Sequence, residues 1–202
     1  MKKICTWIVC LLATMTTMTF SSCTVDEDTH EAMMLSGQWT GDFGMFYEIQ
    51  DRWGNWHRFD SYDTDLVFYP DYDYATHGTG KQVDYYREGP YAYQYYYFDW
   101  SVRNGVVYLT YPYDPELNTA IYNYSMNHDY FSGRFDGSSS TFRLRKLVDY
   151  YNWDYYHGNY MYDPCYDYYY DYYDFYAKQR DGGNTENAPA PEIRRGNRFS
   201  NK

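Results

Sequence analysis

The groups in this 202-residue chain able to do chemistry are its four cysteines, five histidines and 28 acidic side chains. His30, His57, His77, His128 and His157 make no His-x-His or His-Glu-x-x-His pattern, the spacings that bring two imidazoles to one metal. Each reads as a loop or rim residue. Ser21, Ser22 and residues 138–140 sit in no Gly-x-Ser-x-Gly elbow. Carboxylates are so frequent that no pair stands out as a glycosidase couple. Asp149, Asp154 and Asp163 lack the spacing of a calcium-binding EF-hand loop. Cys165 lies among acids and tyrosines, where negative charge raises a thiol's pKa and opposes thiolate chemistry. The glycine-rich stretch near residue 40 lacks the strand–turn–helix context of a phosphate loop. The expectation is a protein that is not an enzyme and carries neither cofactor nor metal. An enzyme acting on an envelope or dietary polymer stays as an alternative, and it needs two facing carboxylates buried in one cleft.

The cysteine with a chemical future is Cys23. Lys2 and Lys3 precede an apolar run from Ile4 to Leu12, then a Thr/Met-rich segment, then Phe20-Ser21-Ser22-Cys23. A charged start, a short apolar stretch and small residues at the end are the parts of an export signal. The apolar run is shorter than the roughly 20 residues a spanning helix needs. Small residues before a cysteine resemble the lipobox of bacterial lipoproteins. That resemblance implies cleavage after residue 22, acylation of Cys23 (a palmitate-type anchor) and a mature chain tethered to membrane by its first residue. Cys5 and Cys10 then leave with the signal, Cys165 is the one free thiol, and neither an intrachain disulfide nor a Cys₂His₂ site can form.

Removal of residues 1–22 takes the 17 basic side chains to 15 against 28 acidic ones, a net charge of −13. A field of that sign opposes binding to nucleic acid and to anionic lipid surfaces. Residues 23–34 form a polar, acidic tether. Asp26-Glu27-Asp28 is similar to the acidic signal that sends Bacteroidetes lipoproteins to the outer leaflet, and an ordinary solvated linker reads the same way. Outer membrane and cell surface is the expected location.

The elements that must position any site come next. Aliphatic residues are few and tyrosine is very common, so the core must be built largely from rings. From Gly37 to Leu147 no segment has a 3.6-residue apolar period, and short β-prone runs recur between turn residues. Ser36–Ile49 reads as one long bent strand. Trp56–Tyr62, Asp65–Tyr69 and Gln82–Tyr86 follow, with His77-Gly78-Thr79-Gly80 read as a turn. The strongest local signal is Asn104-Gly105 between Tyr95–Val102 and Val106–Tyr111, because both residues of a two-residue hairpin turn need positive φ. Thr119–Met126, Tyr130–Phe135 and Ser140–Leu147 complete the set. Eight or nine antiparallel strands predict an all-β meander barrel or a sandwich, and a barrel leaves no sheet edge exposed.

The order of these pieces, over Leu35–Leu147, resembles the small lipocalin-like lipoproteins of Bacteroidetes. The motifs are Gly37-x-Trp39, Leu66-Val67-Phe68 with Gly78-Thr79-Gly80, Phe98-x-Trp100 with Asn104-Gly105, and Phe142-Arg143-Leu144-Arg145-Lys146-Leu147. The resemblance implies a barrel over residues 35–148, with Trp39 packed at its closed end under an arginine, Arg143 or Arg145.

Residues 149–176 hold thirteen Tyr, six Asp and no Lys or Arg. This low-complexity tract reads as an appendage without a site, as a sugar-contacting surface of rings and acids, or as a self-associating segment. Residues 177–202 are polar, end basic and read as disordered. The function expected is a non-catalytic binding module for a small apolar or glycan-like ligand or a protein partner. Trp53 and Trp56 flanking a turn, with Trp100, are the candidate ligand contacts. The alternative is a structural, self-associating envelope protein whose Tyr/Asp tract is the working part.

Overall fold

The computed structural model describes residues 26–51, 54–147, 152–156, 160–161 and 192–200. The signal segment, Cys23, Trp53, Cys165 and most of the Tyr/Asp tract lie outside the described residues.

The chain opens with helix α1 (Glu27–Leu35) and runs through β1 (Gly37–Asp42), β2 (Met45–Gln50), β3 (Trp56–Asp60), β4 (Asp63–Pro70), β5 (His77–Tyr85), β6 (Tyr91–Arg103) and β7 (Val106–Thr110). A 3₁₀ turn at Pro115–Leu117 leads to β8 (Thr119–Met126), β9 (Tyr130–Phe135) and β10 (Phe142–Leu147). After a second 3₁₀ turn at Trp153–Tyr155 come the short β11 (Tyr160–Met161) and finally β12 (Ile193–Asn197). β4 to β10 pair in sequence order, β10 returns to β1, and β1 pairs with β4. Every neighbour is antiparallel. The result is the expected all-β meander barrel, closed with eight strands.

The barrel interior is filled by side chains that alternate along the strands, as the two-residue period of a strand requires. Phe98, Trp100 and Val102 of β6 meet Val107 and Leu109 of β7, Phe131 and Phe135 of β9, and Phe142 and Leu144 of β10. Rings pack edge to face: Phe43 lies 4.9 Å from Phe135 and 5.0 Å from Phe142, and Trp39 lies 5.7 Å from Phe131. Such pairs add to stability beyond their buried area.

The structure departs from the sequence reading in four places. The stretch read as one long strand breaks at Phe43-Gly44. Gly44 has φ +80° and its N–H donates to the Asp42 carboxylate at 2.9 Å. The chain therefore leaves the barrel, and β2 and β3 form a hairpin outside it. His77–Gly80, read as a turn, is the start of β5. Gly80 faces inward, and its missing side chain makes room for the Phe98 ring.

The third departure is the acidic tether, whose residues 27–34 are helical and belong to α1, which runs on to Leu35. Ala32 and Leu35 are fully buried against the end of the barrel, and the Asp28 carboxylate accepts N–H bonds from Asn104 and Gly105 at 2.8 and 3.0 Å. Tertiary contacts stabilise a nine-residue helix too short to stand alone. The fourth is the tail read as disordered, in which residues 193–197 form β12. It pairs with β2 in the register Ile193↔Ile49 to Asn197↔Met45 and makes a three-stranded annex β12-β2-β3. An exposed hairpin edge is thereby covered. The first described residues of the Tyr/Asp tract also dock. Trp153 packs with Val67 and Val83 on the outer barrel wall, and its indole N–H donates to Gln38 Oε1 at 2.9 Å.

Candidate functional site

The two ends of the barrel differ. At one end α1 forms the lid. The Trp39 indole donates to Leu35 O at 2.7 Å, and Lys146 Nζ donates to Met34 O and Ser36 O at 3.0 and 2.6 Å. The ammonium also lies 4.3 Å above the Trp39 ring, so one cation satisfies helix-terminal carbonyls and makes a cation–π contact. Burial holds this lysine below its ordinary pKa. Trp39 is fully buried beneath α1, and the cation over its ring is neither Arg143 nor Arg145 but Lys146. Both arginines are exposed, and Arg143 lies 3.9 Å over the Tyr130 ring. The parity of β10 is the reason. Phe142 and Leu144 point inward, so Lys146 does too, opposite Trp39 in the ladder.

At the other end, the annex and the Pro115–Leu117 turn enclose a cavity of about 410 Å³. One wall is apolar: Phe43, Met45 and Phe46 where β1 passes into β2, with Tyr111 and Leu117 beyond β7. The opposite wall comes from β12 and the residues after it, Arg195, Gly196, Asn197, Arg198 and Ser200. The Asn197 amide donates to Phe43 O at 2.7 Å and pins that strand to the barrel. Phe199 packs on the barrel core and seals the corner.

Charge in this wall is compensated pair by pair. Arg195 Nη1 lies 3.2 Å from Asp114 and 3.9 Å from Glu116. Arg198 is paired with Asp42, lies 3.9 Å from Asp60 and donates to Ser61 O at 3.3 Å. Arg58 donates to Asp60 at 2.9 and 3.0 Å while its guanidinium covers the Phe46 ring. Burial raises the Asp114 pKa, and the neighbouring Arg195 works against that shift. Three polar atoms of the lining residues are buried with no hydrogen-bond partner among the described residues: Arg195 Nε, Thr119 Oγ1 and Ser200 Oγ. Buried orphans are uncommon and call for an account.

Behind the cavity lies a polar network inside the barrel. Tyr111 OH donates to Gln82 Oε1 at 2.6 Å, Gln82 donates to both oxygens of Asp84, and Thr64 donates to Asp84 at 2.7 Å. Asp84 is fully buried, and desolvation pushes its pKa up to about 7, ahead of the two hydrogen-bond partners that lower it. Tyr111 connects this carboxylate to the cavity wall.

Of the tryptophans expected to touch ligand, neither Trp56 nor Trp100 lines the cavity. Trp100 is a core residue, 2% exposed, with its indole donating to Tyr69 O and Thr79 O. Trp56 is covered by the Arg194 guanidinium, 3.7 Å over its ring. Trp53 lies outside the described residues. Arg195 and Arg198 were hidden in a tail that reads as disordered, and no local pattern marks them. Among the described residues no group of three or more His, Cys, Asp or Glu side chains is placed to hold a metal, and no helix is long and apolar enough to cross a membrane.

No protein-family model and no curated protein matches the sequence. Among solved structures, the chain is similar to a lipocalin-like protein from Bacteroides uniformis, with 14% identity and a TM-score of 0.36, over 56% of this chain and 99% of that one.

Proposed function

We propose that this protein is a lipid-anchored envelope lipoprotein of lipocalin-like type, tethered through Cys23, whose barrel is a non-catalytic binding module. The observation that carries the binding reading is the contrast between a barrel interior filled with rings and a cavity of about 410 Å³ at the mouth. A filled interior leaves no room for the apolar ligand a hollow barrel would take, whereas the mouth cavity falls in the range of small-molecule pockets, about 300–1,000 Å³. The anchor reading rests on Lys2-Lys3, the apolar run and Ser21-Ser22-Cys23.

Two experiments test it. Protease shaving of intact cells compares the wild type with Cys23→Ala. Loss of the wild-type chain from intact cells supports surface exposure, and protection until lysis moves the protein to the periplasmic side. Thermal-shift measurements with neutral saccharides, fatty acids and nucleosides test the site. A ligand present at 100 times its Kd stabilises the fold by about 2.7 kcal/mol, and substitution of Glu116 at the exposed rim by Trp removes the shift. Absence of a shift with every class sets the small-ligand reading aside.

The second reading is a structural envelope protein whose Tyr/Asp tract mediates contacts. Its support is the docking of Trp153 and Tyr156 on the outer wall, which mounts the start of the tract on the barrel. In the version where the basic end of one chain meets the acidic tract of another, Arg195 and Arg198 already pair with acids of their own chain, which leaves Arg194 and Lys202 as the other cations of that end. Replacement of residues 162–190 by a polar linker of equal length tests the rest. Unchanged self-association in light scattering rejects it.

A further inference from the structure

The binding reading above names a place but no ligand class. We propose that the mouth pocket is a site for a neutral saccharide, one or two sugar units in size, completed by the C-terminal strand. The proposal rests on that binding reading and deepens it.

The charge pattern comes first. Arg58, Arg195 and Arg198 face Asp42, Asp60, Asp114 and Glu116, each guanidinium within 4 Å of a carboxylate. An anion entering this wall meets carboxylates that already hold the cations, and a cation meets guanidiniums that already hold the anions. A fatty acyl chain matches the Phe43 and Leu117 side, but it strips water from the guanidinium wall and returns no hydrogen bond. What fits is a neutral molecule with one apolar face and an edge that both donates and accepts.

A sugar has that build. Its C–H face suits an apolar lining such as the edge of Phe46 and the Leu117 side chain, and each hydroxyl both donates and accepts. A carboxylate beside a guanidinium, as in Arg195 with Glu116, offers an acceptor next to a donor, which is the match for adjacent hydroxyls. The orphaned atoms supply the second, independent observation. Thr119 and Ser200 both line the cavity, their hydroxyls have no hydrogen-bond partner among the described residues, and a ligand hydroxyl is a group that can supply one.

The pocket does not exist without the C-terminal segment, because Arg195, Gly196, Asn197, Arg198 and Ser200 are one of its walls. Occupancy and docking of β12 are therefore linked. Ligand must slow the opening of the strand, and loss of the strand must abolish binding.

The experiment uses the full chain and ligand-observed saturation-transfer NMR with lactose, maltose, cellobiose and diacetylchitobiose. Glucuronate, laurate and adenosine are run beside them as class controls. The expected result is a signal from at least one neutral disaccharide. Glu116→Trp, at an exposed turn residue, weakens that signal at least about tenfold while the melting curve is retained, and Glu116→Gln weakens it about threefold. Hydrogen exchange of the 193–200 amides slows in saturating sugar, which a site elsewhere on the barrel does not produce. Sugar binding unchanged in Glu116→Trp overturns the location. Binding of glucuronate, laurate or adenosine in place of the neutral sugars, lost in Glu116→Trp, overturns the class and leaves the binding module standing. No binding by any probe overturns both.

Discussion

The barrel and its annex are both antiparallel sheet, yet they are assembled on different terms. In the barrel, seven of the joins are sequential hairpins or the short step around the β2–β3 excursion, and inward side chains are mostly rings and aliphatics, with the Thr64–Gln82–Asp84 network among them. In the annex, β2 meets a strand from the other end of the chain, and the bond from Asn197 to Phe43 spans 154 residues. Its own apolar cluster is small, Tyr47, Ile49, Phe59 and Tyr86, and its cavity wall is made of ion pairs. Rings fill space, and among the described residues they pack the barrel interior. The region of lower local stability is the one expected to move, and here it is the region that carries the pocket.

The comparison predicts unequal responses to damage. The largest belongs to the barrel. Trp39→Ala removes a fully buried ring and the indole bond to Leu35 O, and is expected to cost about 5 kcal/mol, the upper end for large-to-small core changes. Urea unfolding followed by near-UV circular dichroism measures it. A cost below about 2 kcal/mol would mean that the α1 lid is not part of the cooperative barrel.

Next is the buried carboxylate. Asp84 holds its proton up to about pH 7 in the folded state, against an ordinary carboxyl value of 3.8 when solvated. The folded chain therefore binds the proton more tightly than the unfolded one between those limits. This group's contribution is most favourable below about pH 4 and is lost as pH rises to about 7. At about 1.4 kcal/mol per pKa unit the full span is on the order of 4 kcal/mol. Asp65, the other acid acting on it, contributes to the raised value after desolvation. Asp84→Asn removes the slope. The measurement is unfolding free energy at half-unit steps from pH 4 to 8, wild type minus variant, and a flat difference would show that water reaches this carboxylate.

Arg195→Ala strikes the annex instead. It strands Asp114 and Glu116, and for a half-buried pair the expected cost is about 2 kcal/mol, less than the full penalty of a buried pair because solvent screens the rim. The two regions should then separate. Exchange of the β2 and β12 amides accelerates about thirtyfold, while the β4–β6 amides keep their protection. Equal acceleration everywhere would make barrel and annex one cooperative unit and would erase the distinction drawn above.

The legibility of the sequence divides along the same line. β8 and β9 could be placed to the residue, and the β6–β7 hairpin follows from Asn104-Gly105, because turn chemistry and a two-residue alternation are local facts. Helix α1 was not legible. Its sequence is charged and its amphipathicity weak, and only burial of Ala32 and Leu35 on a finished barrel makes it helical. β12 was hidden for a related reason. Ile193-Arg194-Arg195-Gly196-Asn197 has no strand signature until β2 offers an edge. A pocket wall made of such residues cannot be read from spacing. The lysine over Trp39 is different, because extending the alternation Phe142, Leu144 by one step points to Lys146.

The smallest effect tests whether the most legible element is also autonomous. Asn104 and Gly105 have φ +53° and +67°, and a Cβ at Gly105 would meet nothing within 4 Å. Gly105→Ala therefore carries only the conformational cost of a side chain in the left-handed region, about 1 kcal/mol. The backbone N–H that donates to Asp28 is kept, so α1 should remain docked, and exchange of its amides should change no more than that of the barrel. A cost near 1 kcal/mol in thermal unfolding, with the annex amides unaltered, marks the hairpin as a local element of the barrel. A cost above about 2 kcal/mol, with α1 released, would mean instead that the turn is held in shape by the helix, and that the barrel's clearest local signal depends on the one element whose helical state the sequence conceals.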